Sequence, residues 1–188
     1  MPLIKVPKEE RHLIEPYMVA QMMEKAQTLK DKSIIALYFI TGMRVKEAFK
    51  IRKEDIWQDE KYVYVRIEYQ KRSKKEVIPL TSVLPINKET NFLSYIIQQW
   101  ASINDGEYIW NYASNPDTAR VYVWKMLKDL NPNIWIHLFR HTRNDYFRRK
   151  GMTREQRMAW FGWTDIRTPD KYTHVSDKEL KEMGDVIE

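Results

Sequence analysis

Cysteine is absent from this 188-residue chain, which excludes disulfides, thiolate zinc sites and a cysteine nucleophile together. Only four histidines occur, at 12, 137, 141 and 174, too scattered to predict a metal cluster, so no metal and no cofactor is expected. Any nucleophile is then an oxygen or an amine. No run of about 18 uncharged apolar residues exists to span a bilayer. The opening MPLIKVPKEERHLIEP also lacks the apolar core of a secretory signal. Both absences predict a cytoplasmic protein with no membrane partner. Glycine is scarce too, with five in the chain, and Gly42, Gly106, Gly151 and Gly162 stand where helices or turns should end.

What is present is a globular composition, 43% hydrophobic and 31% charged, long enough for one domain with a buried core. Thirty-two Lys and Arg against 26 Asp and Glu leave a net charge of +6 and a pI near 9.3. The distribution says more than the total. Arg140, Arg143, Arg148, Arg149, Lys150, Arg154 and Arg157 fall within 18 residues, and four of the five residues from Lys71 to Lys75 are basic. Two such clusters fit a polyanionic partner.

Hydrophobic periodicity outlines an α+β, mainly helical domain. Residues 1–14, with Pro2 and Pro7, read as an arm. A first helix should run from Glu15 or Pro16 to Leu29, and a second, capped by Asp31 or Ser33, through Ile34 to Phe39 and out at Gly42. Val45, Ala48 and Phe49 start another helical stripe with Arg44 at its first turn. From Tyr62 the period changes to two, and residues 62–80 predict a β-hairpin with a short second strand from Glu76 to Leu80. A helix from Thr90 to Ser102 should bury Phe92, Leu93, Tyr95, Ile96, Ile97 and Trp100. Asn115 and Pro116 open a helix through Val121, Trp124 and Leu127. The basic helix from about Leu138 ends at Gly151, and Thr153 with Gln156 signs a capping box for a helix stopping at Gly162.

His137 and Arg140 stand three apart and share a helix face. Trp163 follows at a helix exit and Tyr172 nine positions later. A histidine, an arginine, an indole N–H and a phenol are groups that can handle a phosphodiester without a metal. Arginine offers a planar fork for phosphate oxygens, and cations nearby favour the phenolate of a tyrosine whose free pKa is about 10.

Arg44, Lys71, His137, Arg140, Trp163 and Tyr172 occur in the order and near the spacings of the tyrosine recombinase (phage integrase) family, whose catalytic domain this chain resembles over roughly residues 12–175. TGMRVKEA is similar to the family's first arginine box, with Glu47 at the acidic partner position. KRSKKEVIPL resembles its lysine hairpin, HLFRHT its His-x-x-Arg box, and FGWTDIRTPDKYTH its last box. Trp163 stands where many members carry histidine; an indole donates one hydrogen bond and accepts no proton, which leaves base duty to His137.

The resemblance implies a site-specific recombinase or integrase of a mobile genetic element, virus or plasmid. Tyr172 would attack a DNA phosphate, forming a 3′-phosphotyrosyl bond and releasing a 5′-hydroxyl, with neither metal nor ATP. It further implies a catalytic domain over 15–175 and a tail, 176–188, that exchanges between protomers in a synaptic tetramer on double-stranded DNA, with nucleoid association. Supporting roles are expected of Glu47 and His141, the latter equally open to a structural role. Arg72, Lys74, Lys75, Arg143, Arg148, Arg149 and Lys150 are expected to contact DNA, and Lys74 and Lys75 compete with Lys71 as proton donor. Arg148, Arg149 and Lys150 also suit a helix C-terminus. The family's usual N-terminal DNA-binding domain has too little chain to form here, so an excised domain or a minimal enzyme is expected, binding DNA weakly and salt-sensitively. A non-cutting DNA-binding remnant and a type IB topoisomerase-like relaxer are the alternative readings.

Overall fold

The computed structural model describes residues 13–72, 77–112 and 115–163, and the backbone alone at 69–72, 77–80 and 116. Helix α1 is Pro16–Lys25, α2 Leu29–Thr41 and α3 Val45–Ala48; strands β1 (Ile56–Gln58), β2 (Tyr62–Arg72) and β3 (Val77–Asn87) follow, then α4 (Leu93–Ile103), α5 (Pro116–Leu130), α6 (Ile136–Arg149) and α7 (Arg154–Phe161). Among the described residues no helix is long and apolar enough to cross a membrane.

Helix α2 is the central element because its sequence is apolar nearly all round: Ile34, Ile35, Ala36, Leu37 and Tyr38 are all buried. It packs against α1, α4 and α6. Its start differs from expectation. Thr28, not Asp31 or Ser33, is the N-cap, its hydroxyl oxygen accepting from the Asp31 backbone N–H at 3.0 Å. A capping residue needs extended backbone, so α1 stops at Lys25 instead of running to Leu29. Ser33 lies inside the helix and accepts the Trp110 indole N–H at 2.8 Å.

The sheet is antiparallel, in the order β1-β2-β3. Val63, Val65 and Ile67 of β2, with Leu84 and Ile86 of β3, form its buried face, as a period of two requires. The second strand of the hairpin is longer than predicted and runs to Asn87, opposite Tyr62. Pro85 lies within it, opposite Tyr64. Among the described strands β3 is an edge, so a residue without an N–H is tolerated there. The pairing of Ile56 with Val65 adds the third strand.

One expected helix face is turned differently. Helix α4 starts at Leu93 and buries Leu93, Ser94, Ile97 and Ala101, leaving Phe92 73% exposed and Tyr95 in solvent. In α5, Asn115 caps through the Asp117 N–H at 2.8 Å as expected. Its buried stripe is Ala119, Val123 and Leu127, while Val121 and Trp124 point outward. Both stripes have helical spacing, and small Ala119 permits the closer approach. The capping box of α7 forms, with Gln156 N–H donating to the Thr153 hydroxyl and Thr153 N–H to the Gln156 side chain.

Gly42 ends α2 with φ +62°, and a Cβ there would lie 2.9 Å from the Phe161 ring and 3.2 Å from the Arg140 Cα. Left-handed strain and a clash against a packed helix combine. Gly42→Ala is expected to lower unfolding free energy by about 2–4 kcal/mol, read as a lower urea midpoint at unchanged slope.

Candidate active site

Past Gly42 the chain turns at once into α3, and Arg44 occupies the N-cap. The Glu47 carboxylate closes this turn twice: one oxygen accepts the Arg44 backbone N–H at 2.6 Å and the other the Arg44 Nη1 at 2.7 Å. Such charge-assisted pairs are short and directional. They hold Arg44 by one edge of its guanidinium, and the side chain stays 41% exposed. The remaining N–H groups are available to an anion.

Arg140 approaches the same carboxylate from α6, its Nη1 3.8 Å from a Glu47 oxygen. It is 1% exposed, and it donates to the Gly42 carbonyl at 3.1 Å and the Phe161 carbonyl at 2.7 Å. Its guanidinium lies 4.7 Å from the Phe161 ring centre and 5.1 Å from that of Trp163. Of the two arginines, Arg44 is an exposed fork and Arg140 a buried charge. A buried guanidinium requires satisfied donors, and the carbonyls at the ends of α2 and α7 supply acceptors.

His137 sits in the first turn of α6, one turn before Arg140, and is exposed. Its pKa is lowered from the usual histidine value, first by burial of part of the ring, then by the positive charges of Arg140 and Arg44, with Glu47 opposing. At neutral pH it is therefore the uncharged imidazole, able to accept a proton. Arg44, Glu47, His137 and Arg140 thus form one electrostatic cluster, drawn from positions almost 100 residues apart. His141 follows on α6 and is half-buried.

Trp163 is buried and stacks on Phe161 at 4.6 Å. Its ring forms part of a small second core with Phe147 and Phe161, so packing and proximity to Arg140 are one property of this side chain. Lys71 and Arg72 lie on β2, opposite Ile78 and Val77 of β3, and their side chains are outside the description. Lys74, Lys75 and Tyr172, the tail, and the arm up to residue 12 lie outside the described residues.

The basic stretch of α6 departs from expectation. Arg143 turns inward, its Nε donating to the Phe39 carbonyl at 2.8 Å with Nη2 bonded to the same oxygen. Burial pushes its pKa down to about 10. Here Arg143 caps the C-terminus of α2, where a cation complements the dipole. Arg148 and Arg149 both pair with buried Asp145, at 3.2 and 2.6 Å, as helix-terminal cations; Arg149 and Lys150 remain exposed.

Two supports were not anticipated. Trp160 donates its indole N–H to the Thr41 carbonyl at 2.9 Å, and buried Arg157 donates to the Asn144 side chain at 3.2 Å. The Arg157, Trp160, Phe161 spacing of i, i+3, i+4 on α7 is the pattern that marks this inward face.

The sequence matches the model of the phage integrase family over residues 13–179. The chain belongs to that family. Among curated relatives, it is 23% identical to tyrosine recombinase XerD of Staphylococcus epidermidis strain RP62A and 26% identical to that of Staphylococcus haemolyticus, each over 96% of this chain and 65% of the relative. The chain thus spans just under two thirds of these relatives' length. Solved structures share the integrase fold: XerA recombinase (TM-score 0.68, 19% identity, 96% of this chain and 65% of that one) and the Tn1549 transposon integrase in complex with transposon right end DNA (TM-score 0.69, 13% identity, 97% and 67%).

Two outcomes follow from this geometry. By histidine NMR, His137 should titrate below 6.5, because charging it in the folded state is opposed by the flanking arginines. Its contribution lowers stability as pH falls through the unfolded value of about 6.5 toward the lower folded one, since the unfolded chain then binds the extra proton. Arg143→Ala should cost about 1–3 kcal/mol in denaturant unfolding, by uncapping α2.

Proposed function

We propose that this integrase-family chain is the catalytic part of a site-specific DNA recombinase, cleaving and rejoining double-stranded DNA through Tyr172. The single observation that carries the reading is the Glu47 carboxylate, which holds Arg44 at 2.7 Å and lies 3.8 Å from Arg140. It concentrates positive charge beside a neutral imidazole within a family-matched chain. In this reading a non-bridging oxygen of the scissile phosphate binds the open edge of Arg44, and Arg140 adds its charge from beneath. His137 accepts the phenol proton as the Tyr172 oxygen attacks phosphorus. The P–O5′ bond breaks, Lys71 or a neighbouring hairpin lysine gives the 5′-oxygen its proton, and the DNA 3′ end stays esterified to Tyr172. Attack by a 5′-hydroxyl of a partner strand reverses the step, so bond energy is conserved.

Residues 15–175 are the catalytic domain in this proposal. The tail, 176–188, links protomers in a synaptic tetramer, and Arg72, Lys74, Lys75, Arg149 and Lys150 contact the DNA backbone. The family's description supports a mobile-element setting, and a substrate of this kind places the protein on the nucleoid. A nicked suicide substrate should trap a covalent protein–DNA adduct. Tyr172→Phe should abolish that adduct while leaving DNA binding within about twofold, because one hydroxyl is a small part of a phosphate-dominated interface. An adduct surviving Tyr172→Phe refutes the assignment.

A further inference from the structure

Arg44 and His137 line a groove of about 620 Å³ together with Lys46, Arg120, Val121, Trp124 and Trp135. Trp124 is 48% exposed and Trp135 41%, and Val121 is exposed beside them. Large apolar side chains clustered in solvent are costly unless they meet a partner. The origin of the cluster is the α5 register described above. Ala119, Val123 and Leu127 take the core, which rotates Arg120, Val121 and Trp124 outward. Trp135 reaches the same groove from the N-cap of α6, two residues before His137.

Charge selects among occupants. The groove is lined by Arg44, Lys46 and Arg120, and among the described residues no carboxylate lines it; Asp117 pairs with Lys46 at 3.6 Å and offsets part of that charge. Cations next to flat indole faces suit a nucleotide, whose phosphate is anionic and whose base has a π face. A paired duplex hides its base faces in the stack and offers only edges and phosphates. The indoles therefore find their partner when a base leaves the stack.

We propose that this groove receives an unstacked nucleotide of the substrate DNA strand, next to the phosphate bound at Arg44, with its base against Trp124 and Trp135. The inference rests on the DNA-acting reading above and adds to it a site for single-stranded or locally opened DNA. It makes opening of the strand beside the cut favourable on the protein surface, so base-pair stability there becomes a determinant of the target.

Fluorescence anisotropy with the full chain tests this, using an oligothymidylate of about six nucleotides and a blunt, fully paired duplex as probes. Trp124→Ala and Trp135→Ala should each weaken oligothymidylate binding by about tenfold or more and duplex binding by less than about twofold. Trp124→Phe, which keeps a stacking face, should restore most of the loss. Circular dichroism confirms that each variant is folded. Equal loss on both probes, or no loss on either, overturns the proposal. So does DNA-independent self-association of the chain that the double alanine variant abolishes, since the groove then belongs to a protein contact. Suicide-substrate trapping in the same variants separates the failures. An adduct with unaltered oligothymidylate affinity sinks the groove alone, whereas loss of trapping in the unsubstituted chain sinks the recombinase reading.

Discussion

The C-terminal end of α2 governs this molecule. A helix leaves its last carbonyls without intrahelical donors, and here three of them are claimed by side chains from elsewhere: Phe39 by Arg143, Thr41 by Trp160 and Gly42 by Arg140. Hydrogen bonds from charged donors such as the two guanidiniums contribute about 1.5–3 kcal/mol each, and all three bonds set orientation. Because Arg44, the N-cap of α3, stands two residues beyond Gly42, whatever fixes this end also places Arg44. The union of the first arginine with the histidine helix is thus a matter of helix capping before it is one of catalysis.

The same arrangement explains why charge can be gathered in a small space. Bringing Arg44 and Arg140 near one carboxylate is favourable only if each guanidinium keeps its hydrogen bonds. Glu47 offsets both charges, while main-chain oxygens and the Phe161 and Trp163 rings surround Arg140. What remains outward is a positive field with one open arginine edge and a neutral imidazole. An anion arriving there meets donors already in position, the condition under which electrostatic stabilisation is most effective.

Much of this was visible in the amino-acid order. Gly42 as helix exit, Asn115-Pro116 as helix start, Thr153 with Gln156 as capping box, and the period-two run from Tyr62 all act through near neighbours, and each is observed. The pairing of Arg44 with Glu47 is also local, one helical turn. The break between α1 and α2 was less visible, because Thr28 competes with Asp31 and Ser33 as a cap and only the burial of Ser33 under Trp110 excludes one of them.

By itself the sequence determined which elements form and in what order, the glycine exits and several of the caps, and which residue types could handle a phosphodiester, because these depend on propensities and spacings within a turn or two. Tertiary structure alone decided that Arg143 faces inward while Arg44 faces out, that Arg140 is buried, and that Trp124 lines a groove while Val123 fills the core. Two helical stripes of similar hydrophobicity differ in burial only when a partner surface selects one. The acceptors that draw Arg140 and Arg143 inward are main-chain oxygens roughly 100 positions away. No pattern of side chains along the chain encodes that encounter, since every residue carries the same carbonyl.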